Sequence, residues 1–287
     1  MEIELWEACR NGKVEEVKGF LQNSQIDPNW RNEDRYHSIP LHIACCEGHI
    51  GVVELLLNDK RVDINKGDID YETPFFAACQ NGHIEIVKLL LNDQRVDVNQ
   101  TNLYGGTPFF IACFQKHIEI VKLLSNDQRV DINKASHYNV SPFWISCYTS
   151  NVEVVKFLLN DKRLDINKAN NGGDTPFHGA CENGHVETVK YMLGCGREID
   201  INKKDNHGNT ALDCARVKRK EDIVELIESF ERNTDETRSK LRMELGFDGI
   251  LLLFSFVFFS NYNSCFCYNL FSRLQSCFDL CNYSPSF

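Results

Sequence analysis

The sequence predicts an all-α solenoid of stacked helix-turn-helix units, followed by a short apolar C-terminal tail. Three observations carry this. Five of the seven prolines, Pro40, Pro74, Pro108, Pro142 and Pro176, recur at an interval of 34. Each opens an apolar stretch that is interrupted, most often by Gly-His, before a second apolar stripe begins. Each unit then closes on Asp-x-Asn: Asp63/Asn65, Asp97/Asn99, Asp131/Asn133, Asp165/Asn167 and Asp200/Asn202. A fixed period in the thirties marks a solenoid, because one such unit cannot bury its own apolar face and must stack on its neighbours.

The elements follow in order within a unit. Thr107 is placed to cap a helix whose first residue is Pro108, where the missing N–H costs nothing. Phe109, Ile111, Ala112 and Cys113 face a partner helix. The Gly-His pair, as at Gly82-His83 and Gly184-His185, turns the chain into an antiparallel second helix. Ile118, Ile120, Val121, Leu123 and Leu124 supply that helix with its apolar stripe. Asn58, Asn92, Asn126 and Asn160 end the stripes and are expected as left-handed caps. The loops that follow, 58–61, 92–95, 126–129 and 160–163, carry Asp and Arg and are expected to form a solvated face. The first unit keeps the helical spacing through Leu5, Ala8, Cys9, Gly12, Val14 and Val17 but lacks the proline. In the last, Ala211 replaces the proline and 216–220 replaces Gly-His, as polar end units of a solenoid require.

These residues resemble the ankyrin repeat. Thr73-Pro74, Ala77-Ala78, Gly82-His83, Ile86-Val87, Leu89-Leu90-Leu91 and Asp97-Val98-Asn99 carry the resemblance, as do Leu41-His42 and Phe177-His178. It extends over residues 3–231 in seven units: 3–35, 36–69, 70–103, 104–137, 138–171, 172–206 and 207–231. The repeat domain is therefore expected over 1–231. Departures cluster in the middle, with Lys116-His117 in unit four and Ser150-Asn151 in unit five where Gly-His is expected.

Composition narrows the function. A formal charge of -10 argues against nucleic-acid binding, which needs clustered positive charge. The acidic start, Met1 to Glu7, predicts no secretory signal, so the thirteen cysteines are expected reduced and the protein cytoplasmic. Cys45, Cys79, Cys113, Cys147 and Cys181 recur at 34 residues, with Cys9 in the same local context; they are expected as small seam residues. His49, His83, His117 and His185 follow the repeat and are expected to bond backbone at the turn. Nucleotide-binding, serine-hydrolase and zinc-protease motifs are missing from the sequence, so no enzyme activity and no cofactor are expected.

Function then falls to the surface. The resemblance implies a protein or peptide partner bound on the concave side, through the loop tips before each Thr-Pro and the exposed ends of the first helices. Mapped onto this sequence, those positions hold Tyr104 and Phe114 in unit four, Tyr138 and Tyr148 in unit five, and Tyr36 in unit two. Unit three is polar there (Asp70, Glu72, Gln80, Asn81), as is unit six (Asp174, Glu182, Asn183). Trp144 and Phe110, one turn earlier, are expected to pack between repeats.

The end of the chain changes character. Residues 232–246 read as a charged linker or a helix extension. The stretch 247–287 holds nine of the nineteen Phe and only three charges, Asp248, Arg273 and Asp279. Residues 249–271 are uncharged and long enough to span a bilayer, although Asn261, Asn263 and Asn269 dilute the second half. Three readings of this tail stay open: a membrane anchor tethering the array, a misassigned coding tail foreign to the repeats, and an amphipathic or partner-covered segment. Cys265-x-Cys267 and Cys277-x3-Cys281 lack histidine company and are not expected to bind zinc.

Overall fold

The computed structural model describes residues 1–247. Among them are fifteen helices and no strand, apart from a lone bridge between Asn32 and Ser38. Seven antiparallel pairs stack in sequence order: α1 (Glu2–Arg10) with α2 (Val14–Leu21), α3 (Pro40–Glu47) with α4 (Ile50–Asn58), and α5 (Pro74–Asn81) with α6 (Ile84–Asn92). Next come α7 (Pro108–Phe114) with α8 (Ile118–Ser125), α9 (Pro142–Tyr148) with α10 (Val152–Leu159), α11 (Pro176–Asn183) with α12 (Val186–Gly194), and α13 (Ala211–Val217) with α14 (Glu221–Arg232). First helices pack on first helices of adjacent units, and second on second. The tail beyond Phe247, with the anchor candidate 249–271 and the Cys265, Cys267, Cys277 and Cys281 motifs, lies outside the described residues. No helix among the described residues is long and apolar enough to cross a membrane.

Each first helix starts as its residues dictate. The hydroxyls of Thr73, Thr107, Ser141, Thr175 and Thr210 accept a backbone N–H three residues on, with proline next in all but the last. In unit two Ile39 stands at this position and contributes no side-chain cap. Phe75, Phe109, Phe143 and Phe177 follow the proline, fully buried; Cys79, Cys113, Cys147 and Cys181 lie four residues later, and Cys9 and Cys45 belong to the same core.

The histidines reach across unit boundaries. Nε2 of His49, His83, His117 and His185 lies 2.9, 2.9, 3.0 and 2.7 Å from the carbonyl oxygens of Arg10, Cys46, Gln80 and Tyr148, each in the preceding unit. In unit five, Asn151 substitutes by donating to Cys113 O at 3.2 Å.

In units two to five, left-handed backbone follows the first helix and not the second. Gly48, Gly82 and Gly184 have φ of 83°, 79° and 81°, and Lys116, Ser150 and Arg219 take the same turn at 67°, 54° and 56°. The expected left-handed caps at Asn58, Asn92, Asn126 and Asn160 are absent. Asn58 and Asn92 are the last helical residues, and Asn126 and Asn160 are right-handed. The exit is made instead by an aspartate turn, in which the carboxylates of Asp59, Asp93, Asp127 and Asp161 accept the N–H two residues later.

The charged loops are largely exposed, as expected, but their arginines also bond across to the preceding unit. Arg61, Arg95, Arg129 and Arg163 each grip their own aspartate at 2.6–2.7 Å. Each also donates Nη2 to a carbonyl at the C-terminal end of the preceding unit's second helix: Leu21, Leu57, Leu91 and Ser125, at 2.9, 2.9, 2.6 and 2.7 Å. A guanidinium there satisfies an orphan carbonyl and suits the negative end of the helix dipole. Hydrogen bonding to the arginine holds each of the four carboxyls below its ordinary range.

Residues 232–246, expected as a linker or an extension of the last helix, fold separately. Asn233 breaks the chain and caps α15 (Thr234–Glu244) by accepting from Glu236 N at 3.2 Å. This helix packs on α12 and α14, buries Leu241 and Thr237, and lays Arg238 over the Phe230 ring at 5.3 Å. Charged residues line its outer side, so its composition resembles a linker while its apolar minority docks. At the other end Trp6 is buried and donates Nε1 to Ser38 O at 3.1 Å.

The turn geometry separates two substitutions. A Cβ at Gly82 lies 2.7 Å from the His117 ring, on a backbone that side chains rarely adopt. Gly82→Ala is expected to cost more than about 1 kcal/mol, whereas Lys116→Gly, relieving a left-handed lysine opposite the smaller Asn151, is expected to gain roughly 1 kcal/mol. Urea unfolding of the two variants measures this; a loss of equal size at both positions would contradict the turn assignment.

Candidate functional site

The loop before the first helix of units three, four, six and seven is built around an Asx pivot. Asp68 Oδ1 accepts the N–H groups of Asp70 and Glu72; Asn102 Oδ1 those of Tyr104 and Gly106; Asn170 Oδ1 those of Gly172 and Asp174; and Asp205 Oδ1 those of His207 and Asn209. Such a pivot satisfies the loop backbone locally and leaves the tip side chain standing out. Successive tips are then joined backbone to backbone. Ile69 N donates to Tyr36 O, Leu103 N to Asp70 O, His137 N to Tyr104 O, Asn171 N to Tyr138 O and Asn206 N to Gly172 O, at 2.7–3.0 Å.

This ladder places Tyr36, Tyr104 and Tyr138 at equivalent positions on one edge, with 73, 58 and 67% of their surface exposed. It also brings out three residues that the sequence reading missed. Ile69, Tyr71 and Leu103 are exposed on the same loops, between the tip tyrosines. Unit three looked polar because its tip residue is Asp70. The signal lay one residue to either side, where apolar Ile69 and Tyr71 sit in a turn too short to bury them.

Phe114 and Tyr148 end the first helices of units four and five and remain 42 and 41% exposed. The Tyr148 ring stacks on Trp144 of its own helix, centroids 4.9 Å apart and planes 16° from parallel. Trp144 is buried and donates Nε1 to Asp174 O of the next unit at 2.9 Å, which is the inter-repeat role expected for it. Phe110 is half-buried against the core. Tyr148 thus has one face fixed by packing and the other open, which lowers the entropy lost when a partner covers it.

Acidic groups flank the aromatic stretch. In the loop leading into α5, Asp68 is buried and Glu72 half-buried, and burial raises both carboxyls above their ordinary range. At the far side Asp174, Glu182 and Asp205 line a cavity of about 300 Å³ together with Cys214 and Lys218. Among the described residues no group of three His, Cys, Asp or Glu side chains is arranged to hold a metal ion. The registered thiols are sequestered: burial pushes Cys9 and Cys113 up to about 12 and raises Cys45, Cys79, Cys147 and Cys181 as well.

The array matches a family profile for ankyrin repeats, in three copies, over residues 4–68, 60–136 and 143–237. Comparison with curated proteins gives no significant match. The matched residues include Tyr36, Ile69, Tyr71, Tyr104, Phe114 and Tyr148, and Tyr138 lies in the short stretch between the second and third copies.

Beneath the unit-three loop His42 is buried with neither ring nitrogen hydrogen-bonded, its Nε2 3.8 Å from Asp68 Oδ2. Its counterpart His178 instead accepts the Thr175 N–H at Nδ1 and approaches Asn209 O with Nε2. Burial lowers the His42 pKa to about 4 from 6.5. Between those values the unfolded chain holds the proton and the folded chain does not, so stability falls as pH drops through that window. Phe76 and Phe110 occupy the same register position, which makes His42→Phe the natural probe. Its loss of stability between pH 7 and 4.5 is expected to be smaller than that of the wild type by roughly 2 kcal/mol. Equal losses in parallel urea titrations would exclude a proton uptake at this site.

Proposed function

The chain belongs to the ankyrin-repeat family, whose arrays are generally protein–protein interaction modules, and we propose that it is a non-enzymatic module binding a protein or peptide along its loop-tip face. The observation that carries this reading is the row of exposed apolar residues from Tyr36 through Ile69, Tyr71, Leu103 and Tyr104 to Tyr138. A polar side chain satisfies such a solvent-facing tip at less cost, and a clustering of exposed apolar residues of this kind marks interaction sites. Tyrosine is suited to it, since it contributes large apolar area with few rotatable bonds and keeps a hydroxyl for hydrogen bonding.

Phe114 and Tyr148 extend the same surface from the tips toward the first-helix ends, on the side that ankyrin resemblance makes concave. The backbone ladder between tips supports a preorganised face: the tips of units three to six are held on both sides by their neighbours, so a partner meets little loop freedom to freeze out. The buried cores of all seven units stay unaffected by binding in this arrangement.

The test is a double substitution, Tyr104→Ala with Tyr138→Ala, in the full chain, against a partner recovered by proximity labelling. Both rings are exposed, so the thermal unfolding profile is expected to stay unchanged while affinity falls by more than about tenfold. Affinity retained within about twofold places the interface elsewhere on the array.

A further inference from the structure

Charge and aromatic surface alternate along the loop-tip face. Building on the reading of that face as the docking surface, we propose that its occupant is an extended partner segment in which apolar residues are flanked by lysine or arginine. Unit three supplies one acidic end. Its tip loop holds Asp68, Asp70 and Glu72, and it is fastened to the Tyr104 loop by Leu103 N donating to Asp70 O at 2.7 Å and by Asn102 Nδ2 donating to Glu72 Oε1 at 3.3 Å. Units six and seven supply the other. Glu182 occupies the register position of Phe114 and Tyr148, each 34 residues from the last, and opens onto the cavity lined by Asp174 and Asp205.

The cavity adjoins the aromatic surface directly. Asp174 O receives the Trp144 indole N–H, and buried Gly179 packs against the rings of Trp144 and Tyr148, which joins the cavity wall to the aromatic surface. Among the described residues no lysine or arginine pairs with Asp70, Glu72, Asp174 or Asp205; Glu182 meets Lys218 at 3.2 Å. Carboxylates lacking a counter-charge beside apolar surface favour a cationic partner twice over. They attract it during encounter, and its docking compensates their loss of water. An acidic or phosphorylated segment, a nucleic acid or an anionic lipid surface meets repulsion at both ends. A wholly apolar segment leaves the carboxylates desolvated and unpaired. The chemistry selects a basic–apolar segment.

Selection of peptides about twelve residues long from a random displayed library, panned against the full chain, tests this. Enriched sequences are expected to carry net positive charge with apolar residues between the basic ones. Their affinity is expected to fall at least tenfold on Asp70→Lys with Glu182→Lys, and comparably on Tyr104→Ala with Tyr138→Ala. Asp70 and Glu182 are chosen because Asp68 and Asp205 are the acceptors that hold the loops. The same change of charge on second helices, Glu119→Lys with Glu153→Lys, is expected to shift affinity by less than about twofold. Enrichment of acidic or uncharged peptides that still need Tyr104 and Tyr138 overturns the basic partner and leaves the docking face intact. Basic peptides indifferent to both pairs of substitutions overturn the face as well.

Discussion

A pair of helices seven to twelve residues long leaves most of its apolar surface open and several backbone groups without partners. Every unit of this protein is therefore completed by the next one. The asparagine of the Asp-x-Asn motif shows the constraint most directly. Asn29, Asn65, Asn99, Asn133 and Asn167 each donate Nδ2 to a carbonyl of the following unit, Arg61, Arg95, Arg129, Arg163 and Glu198, at 2.6–2.8 Å. Each then accepts, at Oδ1, the N–H of the following unit's aspartate at 2.7–3.1 Å. One amide thus closes two bonds across one boundary, a geometry available only to a side chain with a donor and an acceptor on one carbon.

Three further tracks run parallel to it: arginine to the preceding helix end, histidine to the preceding turn, and loop tip to loop tip. At about 1 kcal/mol net for each bond, the polar ties at a boundary are comparable to burying one or two large apolar side chains there. They also set register, because a shift of one residue breaks all four at once. The apolar seam of Phe, Ala and Cys tolerates small slips that the ties do not. Rigidity at the loop tips follows from this arrangement, and with it the ability to present aromatic side chains at fixed spacing.

Much of this was legible in the sequence. Pro108 after Thr107 located a helix start, Cys79 and Cys113 at one register located a seam, and His83 and His117 were placed as turn residues bonding backbone. Periodicity reveals that equivalent residues share an environment; it does not say whether a polar side chain bonds within its own unit or across to the next. Arg95 therefore read only as solvated; it is exposed, and it also caps a neighbouring helix. Asn92 read as left-handed, when the aspartate beside it makes the turn. Residues 232–246 read as a charged linker or extension, because only Leu241 and Thr237 of the helix they contain are buried and two residues make no period. On the candidate face, Tyr104 and Tyr138 stood out as aromatics at a register position that is otherwise polar. Ile69, Tyr71 and Leu103 did not, since their exposure depends on how tightly the pivots Asp68 and Asn102 wind the loop.

The central claim is that each unit is held by its immediate neighbours through these ties. Native-state hydrogen exchange on the full chain, comparing wild type with Asn99→Ala, tests it most directly. The account predicts faster exchange in units three and four, on either side of the lost amide, with protection in units one and seven unchanged. A uniform loss of protection across all seven units would mean that the array behaves as one closed core, and would contradict the account.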